Sequence, residues 1–232
     1  MVSWRKRGIR LFGGLGCLVT PFLLGLGAAT LALIFFRFVP LPFTPLMVIR
    51  AAQGHGIHKD WVALETLPEH VPKAFLASED ARFCQHWGID FEQMGAAVED
   101  WQEGEKLRGA STISMQTTKN VLLWPSRSYL RKGLELALTP VLELAWGKWR
   151  IAEVYLNVAE LGPGVYGVEA AAQFHFGRSA DKLSPRQASL LAAILPSPLT
   201  RSAAKPSAYV SKRARDVERS IRLVEAGCIS AD

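Results

Sequence analysis

Cysteine is scarce in this chain, which has three in 232 residues. Cys17 lies in an apolar run, so Cys84 and Cys228 could form at most one disulfide, and no C-x-x-C spacing is present. His55 and His58 also lack a partner spacing typical of zinc ligands. We predict no metal site from these residues and expect Cys84 to be a small core residue. Its pairing with Cys228 is left open.

Charge is absent from residues 11–36, a run of 26 residues that is long enough to cross a bilayer core of about 30 Å as a helix. Basic residues at 5–7 and Arg10 precede the run, whereas Arg37 alone follows it. This charge bias predicts a cytoplasmic N-terminus. A cleaved signal peptide is the alternative, but its apolar region would be shorter and would end in small residues.

The sequence therefore predicts four segments. They are a basic cytoplasmic tail (1–10), a retained transmembrane anchor (11–38), a proline-rich membrane-proximal linker (39–58) and an extracytoplasmic domain (59–232). The net charge of +6 suits a protein near anionic lipid head groups or one that handles an anionic substrate. Nucleic acid is not an expected partner, because a domain outside the membrane rarely meets it.

Strand patterns, internal repeats and low-complexity tracts are few or lacking, so we predict a mainly α domain. Residues 46–58 have no clear pattern, residues 65–70 read as a loop, and Gly162–Gly167 reads as a turn. Ser111 or Thr112 is expected to cap one helix, Ser128 begins another, and Pro140 should kink or split the latter. The remaining predicted helices cover residues 72–83, 91–102, 146–158, 170–176, 184–195 and 208–226.

Glu79 is the first candidate for chemistry. In the predicted helix, Phe75, Leu76 and Phe83 lie one turn away on the same face, while Asp80 points toward water. A carboxylate on an apolar face is costly to ionise, so Glu79 should have a raised pKa and is a candidate acid or base. The alternative is a partly exposed glutamate whose stem covers the phenylalanine rings.

Glu135 has the opposite surroundings, because Arg131 and Lys132 stand one turn before it and favour its ionised form. Two carboxylates whose pKa values are pushed apart can take different roles in glycosyl chemistry. Two groups of polar residues accompany these carboxylates: one face of a predicted helix, and a pair at positions i and i+4 of another helix. Either group could instead be the solvent-exposed side of its helix. These residues are Thr112, Gln116, Lys119 and Asn120 on the face, and Glu153 and Asn157 in the pair, with Lys148 and Arg150 nearby.

Five ordered segments carry a resemblance to a known family. They are Glu79-Asp-x-x-Phe-x-x-His-x-Gly88, Gly109-Ala-Ser-Thr-Ile-x-x-Gln-x-x-Lys-Asn120, Arg131-Lys-x-x-Glu135, Lys148-x-x-Ile-x-Glu-x-Tyr-Leu-Asn157 and Ala188-Ser-Leu-Leu-Ala192 through Pro198. Together they resemble the five motifs of the peptidoglycan glycosyltransferases, glycosyltransferase family 51. Residues 158–167 and 206–210 are similar to its monofunctional branch. Met115 and Gln187 depart from the pattern, where many members have Gln and Glu. The former affects a contact near the second motif, and the latter affects helix packing.

The resemblance implies a two-lobed, lysozyme-like α domain behind one transmembrane helix in the bacterial inner membrane. The implied substrates are lipid II and the growing glycan strand, joined by a β-1,4 bond with inversion as the lipid diphosphate leaves. Ser179-Ala-Asp-Lys182 fits a transpeptidase S-x-x-K pattern, but S-x-N and K-T-G are missing, so no transpeptidase is expected. Division or elongation proteins are candidate partners that the sequence does not identify.

The resemblance also implies roles for single residues. Glu79 would be the base, and Glu135 would lie near the donor diphosphate with Arg131 or a divalent cation, Mg²⁺ or Mn²⁺; no organic cofactor is implied. Lys119, with Lys148, would offset charge on the leaving group. The residues expected to orient sugars or phosphates, or to brace the cleft, are Ser111, Thr112, Gln116, Asn120, Glu153 and Asn157. His86 and Gly88 are expected to shape a loop.

Two other functions compete with this one. A muramidase or lytic transglycosylase would cut the same polymer with a carboxylate, but a neutral glycan does not need the cations at Lys119, Arg131, Lys132 and Lys148. A non-catalytic, membrane-anchored scaffold would keep the motifs only for packing. The presence of both Glu79 and Glu135 favours an enzyme over a scaffold.

Overall fold

The computed structural model describes residues 21, 24–25, 27–104, 109–126 and 128–230. The chain divides into two units, residues 1–39 and residues 40–232. In the first unit, residues 27–36 are helical. The predicted tail (1–10) and much of the predicted anchor lie outside the described residues. Within the described part of the chain, no helix is both long and apolar enough to cross a membrane.

The second unit is mainly helical, as the sequence predicts. Its small sheet has the order β1-β3-β2, with β1 parallel and β2 antiparallel to β3. The helices are α1 (Pro45–Ala52), α2 (His70–Glu79), α3 (Phe91–Gln102), α4 (Ile113–Leu122), α5 (Tyr129–Val158), α6 (Val168–Phe176), α7 (Pro185–Ile194) and α8 (Ala208–Ser220), and the strands are β1 (His58–Lys59), β2 (Glu160–Gly162) and β3 (Val165–Tyr166).

Side-chain caps explain where several helices begin. Thr112 accepts a hydrogen bond from the Met115 amide at the start of α4, and Ser128 does the same for Arg131 at the start of α5. Ser184 and Gln187 form a reciprocal capping box at the start of α7, with Pro185 in the first turn. The predicted starts of α4, α5 and α7 are confirmed, as are the bounds of α3.

The core is built where α5 packs on α4, α2 packs on α7, and α7 packs on α8. Residues 150–158 of α5 are buried along their whole length, which makes the end of this helix the central element of the unit. Large side chains without solvent exposure fill the space around it. They include Phe75, Phe83, Met115, Ile151, Tyr155 and Leu191.

Two predicted helix ends and the predicted break at Pro140 are wrong. Helix α2 ends at Glu79 rather than Phe83, because Asp80 leaves the helical region with φ −163° and ψ 70°. Pro140 remains inside α5; the non-helical residue is Gly147, with φ +69° and ψ 170°, which glycine adopts without steric cost. Helix α8 ends at Ser220, where a short 3₁₀ turn replaces the predicted continuation to residue 226.

Four short elements were not predicted. Helix α1 and strand β1 lie in and around residues 46–58, which have no clear sequence pattern, and strands β2 and β3 lie in and around the predicted Gly162–Gly167 turn. The predicted loop at residues 65–70 contains most of a 3₁₀ turn and the first residue of α2. Elements this short carry too few residues to show a period in the sequence.

Cys84 is half-buried rather than the core residue that was expected, and it forms a disulfide with Cys228, the pairing that the sequence left open. The two Cα atoms are 5.6 Å apart, and 144 residues of sequence separate them. The bond joins the 3₁₀ turn after α2 to the C-terminal segment. Sequence could not assign this pair, because the cysteines approach each other only when the whole unit has folded.

We expect the double change Cys84→Ser and Cys228→Ser to lower the free energy of unfolding by about 2 kcal/mol, since the disulfide closes a long loop in the denatured chain. Urea unfolding of the full chain, followed by circular dichroism, measures the change. Wild-type protein unfolded with a reductant should match the double variant. An unchanged urea midpoint in the variant would show that the bond does not contribute to stability.

Candidate active site

Glu79 is the last residue of α2 and lies in a partly enclosed position, with 15% of its side chain exposed. Its Oε2 accepts a hydrogen bond from Gln116 Nε2 (3.1 Å), and its Oε1 accepts from Ser78 Oγ (3.2 Å) and Arg213 Nη2 (3.4 Å). Burial raises the pKa of the Glu79 carboxyl, while the Gln116 hydrogen bond and the Arg213 charge oppose the rise. The predicted direction is confirmed, although the helical face assumed for it does not extend to Phe83.

Asp80 does not point toward water as predicted, and it is 8% exposed. Its Oδ2 accepts a hydrogen bond from the Ile113 amide (2.9 Å), and its Oδ1 lies 2.9 Å from His86 Nε2. The first amides of a helix lack partners within the helix and attract negative charge, so a carboxylate at the start of α4 is well placed. Asp80 thereby fixes α4 against the end of α2.

Gly88 closes the loop that follows Asp80. It has φ +79°, and its carbonyl accepts a hydrogen bond from Thr112 Oγ1 (2.5 Å). A Cβ at this position would lie 2.7 Å from Thr139 Cγ2 and 2.8 Å from Glu143 Cγ. The loop thus needs glycine for both its backbone angle and its close approach to α5. These contacts give Thr112 two structural tasks, capping α4 and holding the loop.

Glu79 lines a cleft of about 410 Å³ between α2, α3 and the start of α4. Ser111 and Thr112 form part of its wall, together with acidic and basic groups. The charged lining residues are Glu79, Asp80, Arg82, Asp90 and Asp100.

A second cleft of about 530 Å³ lies on the other side of Gln116. Gln116 lines this cleft and at the same time donates to Glu79 in the first, so it connects the two. The buried Tyr155 hydroxyl donates to Gln116 Oε1 (3.3 Å) and holds the amide in this orientation. The other polar lining residues are Arg50, Lys119, Asn120, Ser126, Arg131 and Glu160.

Lys119 is a half-buried cation in the second cleft. Within the described residues, its ammonium group has no hydrogen bond and no carboxylate within 4 Å. Burial lowers its pKa; the nearby charge of Glu135 raises it, those of Arg131 and Lys132 lower it, and that of Glu79 raises it. Lys119 therefore lies within electrostatic range of both candidate carboxylates, where an unpaired cation favours binding of an anion.

Glu135 is 2% exposed and has the predicted cationic partners. Arg131 donates to one carboxylate oxygen, and Lys132 Nζ lies 2.6 Å from the other. Lys132 also donates to Ser111 Oγ (3.0 Å), which connects Glu135 to the wall of the first cleft. Because both of its oxygens are paired, Glu135 fits an ion-pair network better than a resident metal. In the part of the chain that the structure describes, no three His, Cys, Asp or Glu residues form a metal-like group.

Three of the predicted binding residues, Lys148, Glu153 and Asn157, brace the fold and do not line either cleft. Lys148 Nζ lies 2.6 Å from Glu143 Oε1 and 4.3 Å from the centre of the Phe83 ring.

Glu153 and Asn157 hold the segment before α2. Glu153 pairs with Arg150 and accepts from the Leu64 amide (3.4 Å). The Asn157 amide exchanges two hydrogen bonds of 2.8 Å with the Val62 backbone. These contacts match the bracing alternative that the sequence left open for this pair.

Arg213 on α8 is a site residue that the sequence did not reveal. Its guanidinium contacts Glu79, yet the two residues are 134 positions apart. On α8, Arg213 lies among other charged residues, and nothing in its immediate neighbours distinguishes it from a solvated arginine. Only the packing of α8 beside α2 brings it to Glu79.

The chain is similar to a known family of proteins over most of its length. Residues 47–222 match the family model described as "Transglycosylase". A protein of Caulobacter vibrioides named "Biosynthetic peptidoglycan transglycosylase" is 48% identical over 92% of this chain and 95% of its own length. Proteins of the same name from Rhodospirillum centenum (50% identical; 90% and 91% covered) and Bdellovibrio bacteriovorus (53%; 78% and 75%) are also similar.

The chain belongs to the transglycosylase family. It is therefore a glycosyl-transferring enzyme, and the scaffold alternative is not supported.

Proposed function

We propose that this protein polymerises lipid II into β-1,4-linked glycan strands and has no transpeptidase activity. The observation that carries the proposal is the Lys119 ammonium, which has no ion pair among the described residues and lies within electrostatic range of a partly enclosed carboxyl, Glu79, and an ion-paired carboxylate, Glu135. A diphosphate and a hydroxyl nucleophile need such a combination of cation and base. The relatives are named as enzymes of peptidoglycan synthesis, which supports the same substrate class.

In the proposed reaction, Glu79 takes the proton from the 4-hydroxyl of the acceptor sugar. The oxygen attacks the anomeric carbon of the donor from the face opposite its diphosphate, and the bond between that carbon and the diphosphate oxygen breaks. Inversion follows from this single displacement. Burial raises the pKa of Glu79 toward the working pH, where a general base is most effective.

Lys119 offsets the charge that grows on the leaving diphosphate. A cation in a half-buried cleft is already in place before the reaction and is poorly screened by water, so it stabilises the transition state strongly. Arg131 and Asn120 line the same cleft and are the proposed phosphate and sugar contacts. Glu135 holds Arg131 and Lys132 in place through its ion pairs.

The reaction as proposed uses no resident metal, because a metal at Glu135 would have to displace Arg131 or Lys132. The predicted anchor over residues 11–38 would hold the enzyme in the membrane that carries lipid II. The domain that starts at residue 59 would then work outside the cytoplasm.

The test is to incubate the purified full-length protein with labelled lipid II and separate the products on a gel. We expect a ladder of glycan strands that lysozyme digests, and no peptide cross-links in those strands. Pre-made glycan supplied alone should keep its length. Shortening of that glycan, without any polymer from lipid II, would replace the proposal with a hydrolase.

A further inference from the structure

One arginine of helix α8, Arg213, contacts the end of α2. Arg213 Nη2 lies 3.4 Å from the Ser78 carbonyl, 3.2 Å from Ser78 Oγ and 3.4 Å from Glu79 Oε1. A single nitrogen therefore meets a backbone carbonyl, a hydroxyl and a carboxylate at once. The arginine side chain is 32% exposed, so the contact is partly shielded from solvent.

The end of α2 is a difficult place for an anionic base. The last carbonyls of a helix have no amide partner within the helix and carry partial negative charge. Glu79 is the final residue of α2, so its carboxylate adds a full negative charge to this end. A cation that binds both the Ser78 carbonyl and the Glu79 carboxylate offsets both charges.

We propose that Arg213 is a positioning residue that holds the Glu79 carboxylate in its ionised, reaction-ready orientation. The inference rests on the proposed role of Glu79 as the base. It assigns a task to α8, which lies outside the five motifs that carry the resemblance. Arg213 acts through Glu79 and needs no contact with the reacting atoms.

The other groups facing Glu79 do not duplicate this contact. Gln116 from α4 donates a neutral hydrogen bond, and Lys119 from α4 acts on the carboxylate without an ion pair within 4 Å in the described structure. The Tyr155 phenol on α5 is neutral, with a pKa raised well above its usual value by burial. From α7, a backbone carbonyl, that of Ala192, reaches Ser78. Arg213 thus provides the closest positive charge.

The sign of the expected pH effect follows from these contacts. The Arg213 charge lowers the pKa of Glu79, so removing the charge raises it further. A base with a higher pKa is lost at a higher pH as the solution is acidified. The acid limb of the rate profile should therefore move to higher pH, while the rate on the plateau above that limb changes less.

The first experiment measures polymerisation of lipid II against pH for the wild-type full-length protein and three variants. In Arg213→Met, we expect the acid limb to rise by about half a pH unit, as for a partly exposed ion pair. Arg213→Lys keeps a positive charge and should therefore show a smaller shift than Arg213→Met. Arg215→Met is the matched control, since Arg215 is an exposed arginine on the same helix with no contact to Glu79.

A second measurement separates this inference from the proposed function. The Glu79 carboxyl carbon, labelled with ¹³C and assigned by its loss in Glu79→Gln, is titrated by NMR in each variant. A higher midpoint in Arg213→Met than in Arg215→Met supports the role of Arg213 even if the wild type makes no polymer. Equal midpoints in the two variants overturn it, whatever the activity. A lower plateau with an unmoved acid limb also overturns it and leaves only a structural contact.

Discussion

Glu79→Gln is expected to lower the rate of glycan polymerisation by about a thousandfold, or about 4 kcal/mol, the contribution of a well-placed general base. Glutamine has the size of glutamate but cannot accept a proton at neutral pH. The loss should be in the maximal rate with saturating lipid II, because the change leaves the cationic cleft around Lys119 intact.

The geometry of the site indicates that this change leaves the fold intact. The amide oxygen of glutamine can still accept the hydrogen bond from Gln116 or from Arg213, the partners of the carboxylate. We therefore expect an unfolding midpoint close to that of the wild type. In the wild type, the rate should fall on acidification through a pKa above the usual glutamate value of 4.5, because burial favours the protonated acid.

Glu65→Gln is the matched control, since Glu65 is exposed and has no ion pair in the described structure. Its rate and pH profile should equal those of the wild type. If Glu79→Gln retained more than a tenth of the wild-type rate, the base would have to be another residue. Asp80 would be a poor substitute, because its two oxygens are used by Ile113 and His86.

Local chemistry explains the parts of the fold that the sequence predicts. A serine or threonine before a helix binds an amide within its own first turn, so Thr112, Ser128 and Ser184 mark helix starts without help from distant residues. The cations beside Glu135 are predictable for the same reason, since Arg131 and Lys132 lie one helical turn away. Contacts within a turn need no knowledge of the tertiary fold.

The errors occur where distant segments decide the outcome. Asp80 is buried because α4 brings the Ile113 amide to it, 33 positions along the chain. That contact also accompanies the end of α2 at Glu79, which the apolar pattern through Phe83 conceals. The Cys84–Cys228 disulfide and the Arg213–Glu79 contact span more than 130 residues each. A helical pattern contains no information about such pairs.

Lys119 and Lys148 illustrate the same limit within the site. Both are lysines in motifs of the resemblance, and the sequence assigns them one task. In the structure, Lys148 is held between Glu143 and the Phe83 ring, whereas Lys119 faces a cleft without an ion pair in the described residues. Their different partners come from different helices, so only the fold separates a bracing lysine from one that is available to an anion.

Lys119→Met is accordingly expected to lower the maximal polymerisation rate by about a hundredfold, the usual loss when one group that stabilises developing charge is removed. Methionine keeps the apolar stem that packs in the cleft and removes only the ammonium. Lipid II turnover at saturating substrate measures the loss. Lys205→Met, at an exposed position, is the matched control and should leave the rate unchanged.

The pH profile of Lys119→Met distinguishes loss of the Lys119 charge from a change in the shape of the cleft. In the wild type, the alkaline limb should lie below pH 10.5, the ordinary lysine value, because burial lowers the pKa of Lys119 and its cation is lost as pH rises. Lys119→Met should remove that limb. It should also move the acid limb slightly upward, since the Lys119 charge helps to lower the pKa of Glu79. A lower rate with both limbs unchanged would mean that Lys119 shapes the cleft and does not act by its charge.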